Sequence, residues 1–181
     1  MRIVKINITV DEPFGNLFRK RCVLIAAANS KNKILLGNKK NFFPPKIARL
    51  LGGGVDEGEN LLAAASRELF EEINIKVPRK NLKEIIKFEI NAIDKRGRKY
   101  CNITHLYYAN IGDKNHHSSD EVDSVVLLGI KDIEELAETY FTLPKTLWYK
   151  GEEGEFCWYD YGQVYGVIHK ELAKQLRRGY G

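Results

Sequence analysis

The chain is short of cysteine and lacks any long apolar run, and both shortages narrow what it can be. Cys22, Cys101 and Cys157 are odd in number and far apart, with no CxxC pair and no histidine at ligand spacing. That usage excludes a disulfide framework or a zinc site as the organising feature and reads as reduced thiols. The longest apolar stretch, Cys22 to Ala28, is far too short to span a bilayer, and Lys5 and Asp11 interrupt any secretory core near the N-terminus. A cytoplasmic location and no membrane partner are expected. There is no repeat or low-complexity tract, and 44% hydrophobic with 29% charged residues excludes a disordered or fibrous chain. At 181 residues the chain suits one well-cored domain over 1–181.

Charge is not strongly of one sign. A net +5 suits an anionic ligand without requiring one. The basic residues cluster locally, and Lys95, Arg96, Arg98 and Lys99 read as a solvated hairpin tip. No helix-turn-helix or RNP sequence accompanies them, so nucleic acid is not the expected partner.

What the chain does have is a glycine-rich turn set against a helix of acids, from Gly52 to Ile75. Gly52, Gly53 and Gly54 let the backbone pass close to a ligand or ion. Asn60 is an N-cap for a helix over 61–73, in which Leu62, Ala65, Leu69 and Ile73 form the buried stripe. Glu68, Glu71 and Glu72 fall at i, i+3 and i+4 and therefore share one face. Three like charges there repel unless something cationic sits among them. Oxygen clusters of this kind suit Mg²⁺ or Mn²⁺ held against substrate phosphates.

The same residues resemble the Nudix box: Gly53, Glu59, Arg67, Glu68, Leu69, Glu71, Glu72 and Ile75 stand at the fixed positions, and Asn74 replaces the final glycine. Asn tolerates the left-handed conformation that a helix-ending glycine adopts, so this departure leaves the chemistry intact. The resemblance implies an α/β fold, an α/β/α sandwich in which a mixed β-sheet lies between the box helix and a C-terminal helix. The core is expected over about 18–140, with an N-terminal strand in 1–17 and an aromatic and helical extension in 141–181. Alternation in Arg2 to Val10 predicts that strand. Strands are also predicted at 21–28, 33–36 and about 124–128, with a long hairpin from 82 to 111 around Asp94 to Lys99 and helices over 130–138 and 162–177.

By resemblance the chemistry is Mg²⁺- or Mn²⁺-dependent hydrolysis of a nucleoside diphosphate linked to another moiety, a small-molecule nucleotide substrate. Glu68, Glu71 and Glu72 are the expected metal ligands, joined by the Gly53 carbonyl; Glu71 and Glu72 are also counted catalytic. Arg67 orients the glutamates, and Glu59 braces the loop or holds a second metal through water. For the general base the loop acid Glu121 is the candidate, with Asp120, His116 and His117 beside it. Lys46 and Arg49, on the segment entering the turn, are candidate phosphate contacts; Phe42, Phe43, Trp148, Trp158, Tyr159 and Tyr161 offer stacking surfaces, most of them expected instead to pack in the core or tail. Signatures that mark some family substrates are missing: Asn91, Ala92 and Ile93 stand where ADP-ribose and dinucleoside polyphosphate hydrolases carry Pro or Tyr. Two other readings stay open, a catalytically silent nucleotide sensor and an isopentenyl diphosphate isomerase, whose catalytic-cysteine motif is absent around Cys22 and Cys101. Many relatives dimerise, and the N-terminal strand offers a pairing edge to a second copy.

Overall fold

The computed structural model describes residues 1–39, 42–114 and 122–180. In chain order its strands and helices are β1 (Arg2–Val10), β2 (Arg21–Ala28), β3 (Ile34–Asn38), β4 (Arg49–Leu50), α1 (Leu61–Ile73), β5 (Lys83–Asp94), β6 (Lys99–Asn110), β7 (Ser124–Leu128), α2 (Ile130–Phe141), β8 (Trp148–Gly151), β9 (Gly154–Cys157) and α3 (Trp158–Gln175). A 3-10 turn, Gly15–Phe18, separates β1 from β2.

Seven strands form one mixed sheet in the order β1-β5-β6-β2-β3-β4, with β7 also on β3. The pairs β1/β5 and β2/β6 are parallel, and the rest of the sheet is antiparallel. The apolar run in β2 explains the layering. Val23, Ile25 and Ala27 point into one core with Leu69 and Ile73 of α1. Leu24, Ala26 and Ala28 point into the other, with Tyr140 of α2 and Tyr165 of α3. A strand buried on both faces reads as continuous hydrophobicity, and the result is the expected helix, sheet, helix sandwich.

Helix α1 has the predicted ends. The Asn60 side chain accepts the Leu62 N–H at 2.9 Å, and Asn74 closes the helix at φ 57°, ψ 31°. The buried stripe differs in one place: Leu62 is half-buried, and Ala64 is fully covered. Small residues at 64 and 65 let the first turns of the helix lie close against the sheet. The N-terminal strand pairs with β5 of its own chain, and the hairpin tip is not a bare basic patch, since Lys95, Arg96 and Arg98 pair with Asp11, Glu12 and Asp94.

The aromatic stretch is more ordered than its pattern suggested. Trp148–Gly151 and Gly154–Cys157 form a hairpin, and α3 starts at Trp158 rather than Gly162. Its first turn is anchored where the Asp160 carboxylate accepts the Asp11 N–H at 2.7 Å and the Trp158 N–H reaches Leu147 O at 2.9 Å. Helix α2 runs on to Phe141, past the expected end at 138. Cys22 and Cys157 are buried free thiols, and Cys101 is an exposed one.

Asn74 supplies a direct test of the local reading. Asn74→Ala should destabilise the fold by about 1 kcal/mol, because a left-handed residue with a Cβ and no compensating polar side chain is strained. Asn74→Gly should be neutral or mildly stabilising. Urea unfolding of the three proteins measures both.

Candidate active site

The glycine turn hangs on β2. Val23 N–H donates to Gly53 O at 2.9 Å, Ile25 N–H to Leu51 O at 2.8 Å, and Val55 N–H to Arg21 O at 3.1 Å. Gly52 has φ 130°, and a Cβ there would run into the Val23 carbonyl, so the turn approaches the strand as only glycine can. A Cβ on Gly53 would lie 2.7 Å from both carboxylate oxygens of Glu68. The missing side chain is therefore a notch into which the Glu68 head group fits.

Helix α1 presents its acids to this turn at different depths. Glu68 and Glu72 are buried, and Glu72 Oε2 accepts the Gly52 N–H at 2.7 Å. Glu71 is 44% exposed at its side chain. Arg67 is the cation among them: Nε and Nη2 grip both oxygens of Glu59 at 3.0 and 2.9 Å, while Nη1 reaches Glu68 at 2.9 Å and Glu71 at 2.7 Å. Nη2 also donates to Gly54 O at 3.0 Å. The Arg67 partnership holds Glu59 below the usual carboxylate range and pushes Arg67 further up. The carboxylates are thus spread around a guanidinium. Among the described residues, three potential metal-ligand atoms gather within 4.8 Å of one another at Asp11, Cys157 and Asp160. That group does not line the cleft described next.

The site opens into a cleft of about 660 Å³ floored by Arg49 to Gly54 and walled on one side by Arg67, Glu68, Glu71 and Glu72. Arg49 lies in this floor, donating to Gly52 O at 3.3 Å, with Tyr161, Tyr165 and Glu72 raising its affinity for its proton against burial. Lys46 is exposed and lies outside the cleft. Phe42 and Phe43 line it, whereas Trp158 and Tyr161 are buried in the core. The Gly53 carbonyl has one acceptor position taken by Val23. Glu121, Asp120, His116 and His117 lie outside the described residues.

Several cleft residues escaped the sequence reading: Asn16, Phe18, Arg19 and Lys39. Arg19 packs its guanidinium on the backbone of Gly54. No motif links positions 19 and 54; Arg19 is held in place by Asn102, whose Nδ2 donates to Asn16 O at 3.0 Å and Arg19 O at 2.9 Å. Cys22, held at 3.3 Å from the same amide, has a thiol pushed up by burial, the opposite of an activated nucleophile. This weighs against the isomerase reading.

Helix, glycine notch and cleft together define the class. The chain belongs to the Nudix family: the NUDIX domain family matches residues 18–178. Its fold is similar to a MutT/nudix family protein from Enterococcus faecalis, at 24% identity over 60% of this chain with TM-score 0.50. The match spans only 43% of that Enterococcus chain. The fold is also similar to the NUDIX domain of Shewanella oneidensis NrtR, solved with ADP ribose, at 21% identity, 65% and 77% coverage of the two chains and TM-score 0.51. A MutT protein from Methanosarcina mazei Go1 aligns over 86% of this chain and 97% of its own, at 17% identity and TM-score 0.51. No curated protein matches the sequence.

The Arg67 cluster carries a pH signature. Glu59 has a depressed pKa in the folded state, so its stabilising contribution is present above the ordinary value of 4.5 and lost as pH falls through the depressed one. Arg67→Gln abolishes that contribution. The gap in melting temperature between wild type and Arg67→Gln should be full near neutrality and shrink below pH 4.5, which a melting series across pH 2.5 to 7 reads out.

Proposed function

We propose that this protein is a metal-dependent pyrophosphohydrolase that cleaves the diphosphate bridge of a nucleoside diphosphate linked to another moiety. The observation that carries this is the burial of Glu68 and Glu72 against the glycine turn, at the wall of a cleft that also presents Arg19, Lys39 and Arg49. Buried carboxylates and guanidinium groups facing one cavity suit a phosphate ligand bridged to protein acids by a divalent cation.

Such a cation would draw on oxygen donors. Every available donor is a hard oxygen, and the notch at Gly53 keeps the Glu68 head group at the cleft wall. Glu68, Glu71 and Glu72 would hold Mg²⁺ or Mn²⁺, with the Gly53 carbonyl as a further oxygen. When bound, the ion neutralises phosphate charge and acidifies a water. Arg67 keeps Glu59, Glu68 and Glu71 in place, and its hold on Gly54 fixes the turn. Arg49 supplies positive charge to a phosphate oxygen from the floor. Glu121 serves as the general base. The whole chain acts as one domain, since α3 and β1 both pack on the sheet that carries the site.

Glu72→Gln keeps an oxygen to accept the Gly52 N–H and removes the charge. It should lower kcat by roughly two orders of magnitude or more with melting behaviour close to wild type. A panel of nucleoside triphosphates, nucleotide sugars and dinucleotides with Mg²⁺ or Mn²⁺ provides the substrate for this assay. If the wild type cleaves none of them while binding some, the chain is a silent nucleotide-binding domain instead.

A further inference from the structure

Arg49 reaches the cleft floor from a strand with little ladder to hold it. β4 is two residues long and meets β3 only where Arg49 pairs with Gly37 and Leu50 with Leu36. Just ahead of it the chain passes Pro44 and Pro45 and turns through the left-handed region at Lys46, φ 67°. A strand this short is below the ordinary length, so the place of a side chain on it depends on what holds the flanking backbone. The hydrogen bond from the Arg49 guanidinium to Gly52 O is itself long, 3.3 Å. Downstream, β2 holds the chain through Leu51 O and Gly53 O. Upstream, α2 does so: the Tyr140 hydroxyl donates to Ala48 O at 2.9 Å, inside the core and 92 residues away in sequence.

Tyr140 is suited to fix a position. It is fully buried, and its ring lies against Tyr161 at 6.2 Å, Tyr165 at 6.1 Å and His169 at 5.0 Å, three residues spaced by four on one face of α3. A phenol has one proton to donate, and here it goes to the residue preceding Arg49. Burial pushes the Tyr140 pKa well above its ordinary value, so the donor persists across the working pH range. Neither Tyr140 nor any other residue of α2 lines the cleft. We propose that Tyr140 is a positioning residue: through Ala48 O it sets the backbone from which Arg49 meets a phosphate oxygen, so that α2 takes part in ligand binding without touching ligand. This deepens the hydrolase reading and rests on it for the phosphate role of Arg49. A tyrosine that merely satisfies a core carbonyl would affect stability and leave Arg49 alone.

A double-mutant cycle separates the two. Calorimetry with Mg²⁺ and methylenediphosphonate, a diphosphate that cannot be hydrolysed, is run on wild type, Tyr140→Phe, Arg49→Met and the double variant, each below its melting transition. Tyr140→Phe keeps the stacked ring and removes the donor. It should weaken binding about fivefold, the scale of one neutral hydrogen bond, and Arg49→Met at least about tenfold, the scale of a hydrogen bond to a charged group. In the Arg49→Met background the tyrosine change should add no more than about twofold, because the residue it acts through is gone. The proposal is overturned if Tyr140→Phe binds as wild type does, if it weakens binding equally in both backgrounds, or if the wild type does not bind the probe. Should the Arg49 variants not fold, Mn²⁺ binding decides: Tyr140→Phe should lose diphosphate affinity and keep its affinity for Mn²⁺ alone, whereas a parallel loss of both marks general distortion of the site and overturns the proposal. If the cycle behaves as described and no panel compound is cleaved, the role of Tyr140 stands and the hydrolase reading falls; cleavage of a panel compound with an additive cycle does the reverse.

Discussion

One hydrogen bond, from the Gly52 N–H to the carboxylate of Glu72, joins the two halves of the site. On one side is a turn strung along β2; on the other is a helix whose apolar stripe is set in the core. A buried carboxylate is tolerated only with partners, and an abandoned buried donor costs about 1–3 kcal/mol, so each group depends on the other. Because Gly52 sits at φ 130° against the Val23 carbonyl, only a residue without a Cβ lets the turn lie this close to the strand. The depth and direction of Glu72 follow from that constraint, and Glu68, one turn earlier on the same face, is then delivered into the notch at Gly53.

Arg67 solves the electrostatic problem that this arrangement creates. Acids crowded on one helix face need a cation, and the guanidinium, bidentate to Glu59 and shared with Glu68 and Glu71, is one that the chain carries itself. The exposed pair with Glu71 contributes little, about 0–1 kcal/mol, and the clearer consequence of the network is that several oxygens are held in fixed relative positions. Arg67 also reaches the turn itself, donating to Gly54 O.

How much of this could be read from the sequence depended on range. The box helix was legible because its determinants are local: Asn60 caps it, Asn74 ends it in the left-handed conformation, and the carboxylates follow from a spacing of three and four. The sandwich was legible because β2 is apolar on both faces. The far wall of the cleft was not, since Asn16 and Arg19 are held by Asn102 more than eighty residues away, and no local pattern announces that contact. The aromatic residues, most of them expected to pack in the core or tail, could be told apart only by their tertiary contacts. Trp158 and Tyr161 resemble stacking surfaces in a list of residues, yet tertiary packing of α3 on the sheet buries them, leaving Phe42 and Phe43 in the cleft. Lys46 and Arg49 looked alike in sequence, yet Lys46 is exposed outside the cleft and Arg49 lines it.

Whether the box carboxylates form a divalent-metal site is tested more directly by metal binding than by turnover. Mn²⁺ titration followed by electron paramagnetic resonance should show saturable binding to the wild type and a large loss of it in the Glu68→Gln, Glu72→Gln double variant, with circular dichroism unchanged. Equal Mn²⁺ binding by the two folded proteins would contradict the account.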